Sequence, residues 1–334
     1  MLRAMNSSDP LASAWAKMDW ANKTVDRVEM AIQRIHAVSH QLQKSPVTVR
    51  GRVTDDGKEW IIYIHKVTRI PASLGLMAGD AVHNFRTVLD HIVWELAFID
   101  GGGIAGGVEP KGNVQFPIIQ RTSRNPTWLS CSRKFEVEAK RLLENVSMRH
   151  RAMIKRHQPY HSWPEDEPHP LSMLSDLDND DKHRVLQPVF SAASEITTIH
   201  PKYGRDCQAI GEAVNENIIG RPLEVGTKVL TVPINVTGPH PYLDVKAAAS
   251  LYIAFRNGMG VLETLKSISR KVRAIYTDFF PEFQRPKAKR VWRAREGRIQ
   301  TPPPPKVALE ESLLTSAEVQ EYSEWLSVPP AKGE

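Results

Sequence analysis

From residue 11 onward, apolar side chains return every three or four positions, at Trp15, Met18, Val25, Val28, Ile32 and Ile35. That is the period of an amphipathic helix. Ser8 or Asp9 can cap it ahead of Pro10 at its first turn. The helix is expected to run to about Gln43 and to stop before Pro46, since a residue preceding proline avoids helical backbone. VTVRGRVTDDGKEWIIYIHKV then changes period. Its two β-type runs flank Asp56-Gly57, where glycine supplies the positive φ of a hairpin turn. Helical spacing returns over 72–98 and ends at the glycine-rich GGGIAGG. NVQFPII reads as a short strand or an extended linker, and 127–156 as helix broken near Val146 or Ser147.

A loop rich in proline and polar residues, QPYHSWPEDEPHP, follows at 158–170. LSMLSDLDNDDKHRVL is a short helix with Leu171, Leu174 and Leu177 inward. Between 185 and 256 the chain is rich in Val, Ile and Thr, and ITTIHPKY, LEVGTKVLTVPINV and YLDVKAAASLYIAF read as antiparallel strands. A last long helix over 259–280 places Val261, Leu262, Leu265, Ile268, Val272 and Ile275 on one stripe. After Pro281 come a basic run, a polyproline-like TPPPP spacer and an acidic amphipathic helix. The expected fold class is α+β: a predominantly helical bundle with an inserted β-hairpin and a small antiparallel sheet. It forms a single domain over 1–280, with the bundle in 8–160 and 258–280 and the sheet at about 185–256. Residues 281–334 form a C-terminal appendage.

Composition narrows the setting. The chain has 334 residues, 41% hydrophobic and 25% charged, which excludes a disordered class. A formal charge of +6 and a pI of about 9.2 admit an acidic partner such as RNA or DNA. Two cysteines, Cys131 and Cys207, exclude a disulfide framework or thiolate zinc site and suit a reducing compartment. The first twenty residues lack the apolar region of a signal peptide, and nowhere do about 18 apolar residues run together. A cytoplasmic protein with no membrane partner and no cofactor is expected.

One helix has an unusual polar content. In AGDAVHNFRTVLDHIVWEL, Leu74, Ala78, Ala81, Phe85, Val88, Leu89, Ile92 and Leu96 form an apolar stripe. His83, Arg86, Thr87, Asp90 and Trp94 project from the opposite side, and Asp80, Asn84 and His91 lie along the flank. An exposed face would favour Glu and Lys, which have better helix propensity than His, Asn, Asp and Thr. The choice implies that this face is covered by another helix, a second subunit or a ligand. It serves either as a polar network between helices, with Arg86 paired to Asp90, or as a catalytic face with histidine moving protons and arginine holding a phosphate.

GDAVHNFRTVLDHIVWEL and the later LSDLDNDDKHRVL together resemble a family of uncharacterised bacterial and phage proteins sharing these two motifs, over roughly residues 70–190. The spacing of Arg86 and His91 also resembles that of HEPN-domain ribonucleases, small helical bundles, usually dimeric, in which an arginine precedes a histidine by such an interval. That resemblance implies metal-independent RNA cleavage by His91 and Arg86, with Asp90, Asn84 and His83 in support and a site that a homodimer seam could complete. Five residues on a straight helix place Arg86 and His91 about 140° apart, so long side chains or a partner subunit would have to bring them together.

The second motif gathers Asp181, Lys182, His183 and Arg184 behind Asp176, Asp178 and Asp180. It is not an EF-hand, since Asp181 stands where glycine is required and Gln187 where glutamate is. It is either a helix terminus or, with His83, Asp90 or His91, part of a hydrolytic metal site. GGGIAGGVEPKG lacks the G-K-S/T of a phosphate loop. Cys131 reads as a structural thiol, and His150, His157, His161 and His169 are expected to be exposed. Lys287, Lys289, Arg290, Trp292, Arg293 and Arg295, with Arg285 and Arg298, form a basic run with one ring for stacking, suited to nucleic acid. Three functions follow: a metal-independent endoribonuclease, a non-catalytic nucleic-acid- or protein-binding factor, or a metal-dependent hydrolase.

Overall fold

The computed structural model describes residues 11–42, 44–101, 110, 112–161, 168–193, 198–203, 206–238, 243–248 and 250–284. Among them are six α-helices and nine strands, an α+β fold. The helices are α1 (Ala12–Gln41), α2 (Ala72–Asp100), α3 (Trp128–Leu142), α4 (Met148–Arg156), α5 (Pro170–His183) and α6 (Val261–Gln284). Among the described residues the chain divides into two compact units, one drawn from 11–26, 77–185 and 264–284, the other from 27–76 and 186–263.

The first unit is helical. α1 and α2 run antiparallel, because Ser13 meets His91 while Trp20 meets Asp80. α1 and α6 are also antiparallel, pairing Asn22 with Ser269 and the Trp15 ring with Tyr276. The apolar stripe of α2 is fully buried from Ala78 through Leu96, and Val82 and Val93 widen it. Each Leu, Ile, Val or Phe so buried contributes about 1.5–3 kcal/mol. The break between α3 and α4 falls where Ser147 caps α4 by accepting from the His150 N–H. Pro281 does not end α6, contrary to the expectation of a stop near 280. Burial of Glu282 and Phe283 carries the helix one turn further, outweighing the backbone hydrogen bond that proline cannot donate.

The second unit is built on strands. β1 (Val47–Val53) and β2 (Glu59–Val67) form the expected hairpin, with Gly57 at φ 69° in its turn. The hairpin is not a separate insert: β2 also pairs antiparallel with β7 (Lys228–Val236), making one sheet in the order β1-β2-β7-β5. β5 (Cys207–Ala209) and β6 (Val214–Asn215) pair with different stretches of β7. Two further pairs join β3 (Val189–Ala192) to β9 (Leu251–Ala254) and β4 (Thr198–Tyr203) to β8 (Leu243–Ala248). YLDVKAAASLYIAF therefore supplies two strands with different partners, and β3, β5 and β6 carry too few residues to show a period.

No helix among the described residues is long and apolar enough to cross a membrane. Residues 102–107 of GGGIAGG, the basic run after Gln284 and the acidic C-terminal stretch lie outside the described residues.

Candidate functional site on helix α2

The polar residues of α2 divide into two flanks with different partners. On the first, Trp20 donates its indole N–H to Asp80 at 2.9 Å, and Asn84 donates to the Asp80 carboxylate at 2.8 Å and its backbone carbonyl at 2.7 Å. Lys17 donates to Asn84 at 3.2 Å, and the His91 Nδ1 and Ser13 Oγ are 3.0 Å apart. Positions 13, 17, 20 and 24 of α1 thus meet 91, 84 and 80 of α2, forming a polar seam between antiparallel helices. The cover that the sequence demands for this flank is α1. Asn84 is buried and needs these partners, since an unpaired buried amide costs about 1–3 kcal/mol.

On the second flank, Arg86 reaches Asp90 at 3.1 Å and donates to the Phe116 carbonyl at 2.7 Å. The Phe116 N–H donates to Asp90 at 2.8 Å. The pair therefore grips both backbone groups of one residue. NVQFPII is a linker rather than a strand because side chains take the place of a neighbouring strand's backbone. Gln158 accepts from the Ile119 N–H and donates to the Pro117 carbonyl, both at 2.8 Å, and Gln120 reaches Asp176. Phe116 and Ile119 are thereby held in the core.

The two sequence motifs meet. Gly79 lies so close to α5 that a Cβ there would stand 2.3 Å from the Asp181 carboxylate. Four residues on, His83 lies 3.6 Å from the buried Asp178 and Lys182 bonds it at 2.6 Å. The acids at the end of α5 oppose the negative end of its helix dipole. Lys182 and Arg184, which faces Asp180 at 3.9 Å, offset them. Lys182, His183 and Arg184 are exposed. Among the described residues, no group of three or more His, Cys, Asp or Glu is arranged to hold a metal ion. The donors on which the alternative metal site would draw face separate partners, His91 toward α1 and His83 toward α5.

Asp90 and His91 also line a groove of about 370 Å³ with Ser13, Trp94, Glu95 and Val114, and Arg86 is not part of its lining. Burial pushes the Asp90 carboxyl above its ordinary value, against the pull of Arg86. Burial, aided by Lys17, lowers His91, so its imidazole is neutral near pH 7. Trp94 is exposed and stacks on Phe98 with ring centroids 5.7 Å apart. A larger groove of about 490 Å³ in the strand unit, around Glu216, Arg221, Glu224 and Lys228, contains none of the predicted residues.

The expectation that His150 is exposed is overturned. It is buried, with Nδ1 2.6 Å from Asp100 and Nε2 3.2 Å from Glu282, which Arg149 pairs at 2.7 Å. Burial opposes the imidazolium, but the bonds to Asp100 and Glu282 outweigh it and raise the His150 pKa. His169 is likewise not idle: it caps α5 by accepting from the Leu171 N–H, and burial, with Lys271 and His157 beside it, lowers its pKa to about 4. His157 bonds Asp278 at 2.9 Å. Cys131 is buried and donates to the Asn125 carbonyl, as befits a structural thiol. No known protein family, curated protein or solved structure matches the chain.

Proposed function

We propose that the chain is a nucleic-acid-binding protein in which the polar helix is a brace and the basic run after Gln284 makes the phosphate contacts. The observation that carries this reading is the commitment of Arg86. Its guanidinium already serves the Phe116 carbonyl and the Asp90 carboxylate, and turning it toward a phosphate would forfeit both bonds and loosen the linker they hold. The concentrated source of cations is then the segment from Arg285 to Arg298, with Trp292 as a ring on which a base can stack.

Binding of a labelled single-stranded RNA by the full chain, measured across salt concentrations, tests this. Each phosphate contact adds about 0.7 to the slope of log affinity against log salt. The joint variant Lys287→Gln, Lys289→Gln, Arg290→Gln and Arg293→Gln should bind much more weakly and with a flatter slope, and the RNA should remain intact. Binding that ignores salt, or survives in that variant, contradicts the reading. A second reading, the HEPN-like metal-independent endoribonuclease, is favoured by the neutral His91 in its groove, as a general base requires. Cleavage that survives EDTA and disappears in His91→Ala would establish that reading instead.

A further inference from the structure

α3 has a face that the core does not use. It buries Cys131, Phe135, Ala139 and Leu142 and turns Trp128, Arg133, Lys134 and Lys140 to solvent. Trp128 is 48% exposed, against 38% for Trp20 and Trp94. Trp20 commits its N–H to Asp80, and Phe98 lies over Trp94 with the two rings 5° from parallel. At Trp128 the neighbouring rings of Tyr160 and His161 stand at 72° and 67° to the indole, so neither stacks on it.

The same neighbours fix the ring in place. Thr127 and Ser130 exchange bonds at the start of α3, which sets Trp128 in its first turn. The indole N–H donates to the His161 Nδ1 at 3.3 Å, and burial lowers the His161 pKa, so that nitrogen can accept near pH 7. Tyr160, buried beneath, anchors the turn Pro159–His161 that carries the histidine. A ring held in this way loses little freedom when a planar ligand stacks on it. The charge around it selects the ligand. Glu136 and Glu138, the two acids of α3, are held by Lys155 at 2.6 Å and Arg141 at 2.7 Å. Arg133, Lys134 and Lys140 are left with no acid of their own helix to pair, and such a surface draws phosphate. Arg133 and Lys140 stand on one side of the helix, two turns or about 10 Å apart.

We infer that this face of α3 is a second contact surface for single-stranded nucleic acid, with a base stacked on Trp128 and the phosphates beside it on Arg133, Lys134 and Lys140. Stacking on an indole needs no particular base, so the surface reads a single strand without reading its sequence. The inference rests on the nucleic-acid reading and places part of the binding on the folded helical unit.

Photocrosslinking of the full chain to single-stranded RNA carrying iodouridine, read by peptide mass spectrometry, tests the stacking, because the excited base joins the aromatic ring it lies on. The expected adduct is on Trp128. Trp128→Ala should weaken RNA binding by about five- to a hundredfold with an unchanged salt slope, and Trp128→Phe, which keeps a ring, should recover most of the loss. The joint variant Arg133→Gln, Lys134→Gln and Lys140→Gln should instead flatten the slope by about 0.7 for each phosphate contact removed. If RNA binds through the basic run while no adduct forms on Trp128, or while Trp128→Ala binds as tightly as the unaltered chain, the inference alone fails. If the adduct forms and the joint variant of Lys287, Lys289, Arg290 and Arg293 binds unchanged, the α3 surface stands and the assignment of the phosphate contacts to the basic run fails. A chain that binds no RNA overturns both.

Discussion

Two charged clusters tie the helical unit together, and they differ in how they were built. Arg86 and Asp90 sit one helical turn apart and grip the backbone of Phe116. Asp100, His150 and Glu282 come from three helices or their junctions, separated by 50 and 132 residues. In the first cluster each charge keeps a backbone partner if the other is lost. In the second, one imidazole stands between two carboxylates and is the group that bridges them. A local pair can be trimmed, whereas a bridged pair of like charges cannot.

The sharpest way to break that comparison is His150→Ala. It leaves the Asp100 and Glu282 carboxylates facing a void, with the Ser147 N–H and Arg149 among their remaining partners. Removing one member of a buried ion network costs about 3–5 kcal/mol. Urea unfolding of the variant should show a loss of about 3 kcal/mol or more, against about 1–2 kcal/mol for Asp90→Asn, which preserves the shape of the grip on Phe116. Equal losses would mean that the two clusters are equivalent.

Acidity should separate the clusters next. The folded pKa of His150 is raised above its ordinary 6.5, so its contribution is complete below about that pH and is lost as pH rises through the folded value. Burial works against the Asp100 carboxylate, but the bonds from His150 and the Ser147 N–H prevail and lower its pKa below 3.8. Its contribution is complete above 3.8 and lost as pH falls through the folded value. The network is therefore strongest between about pH 3.8 and 6.5, and stability should decline above that window. Unfolding curves of His150→Gln should lack the decline, and an unchanged slope would remove His150 as its source.

The meeting of the two sequence motifs gives a smaller effect with an informative sign. Alanine is better than glycine in a helix interior by about 1 kcal/mol. At Gly79 the added methyl meets the Asp181 carboxylate, and overpacking of this kind costs about 1–3 kcal/mol. Gly79→Ala should thus destabilise by about 1 kcal/mol, and the same change should become neutral or stabilising beside Asp181→Ala. Thermal melts of the four proteins measure this coupling directly.

These contrasts also mark what could be read in advance. The buried stripe of α2, the hairpin turn at Gly57 and the Arg86–Asp90 pair are local, and periods of 3.6 and 2 or a spacing of four display them. The pairing of β2 with β7 joins residues more than 160 positions apart and leaves no trace in either strand's own pattern. His150 sits among other histidines in a polar stretch, and nothing near it names Asp100 or Glu282. The grip of Gln158 on the 117–119 backbone is equally silent, because glutamine in a Pro-rich stretch has no period to break. In the candidate site, the residue types marked α2 as covered, but the covering groups, Ser13, Lys17 and Trp20, belong to a helix whose apolar period drew attention to its other face.

The smallest effect concerns His91, and it bears most on function. Its one bond in the seam is to Ser13, an exposed side chain, so His91→Ala should cost about 0.5–1 kcal/mol. Asn84→Ala, in the same seam but buried and bonded to Asp80 and Lys17, should cost about 2 kcal/mol. A histidine that matters little to folding is well suited to report on chemistry, because its removal leaves the groove in place. RNA binding by His91→Ala equal to that of the unaltered chain, with no cleavage by either, would make the polar helix a brace along its whole length. Loss of an RNA-cleaving activity at full stability would separate His91 from the other seam residues and return it to a catalytic role.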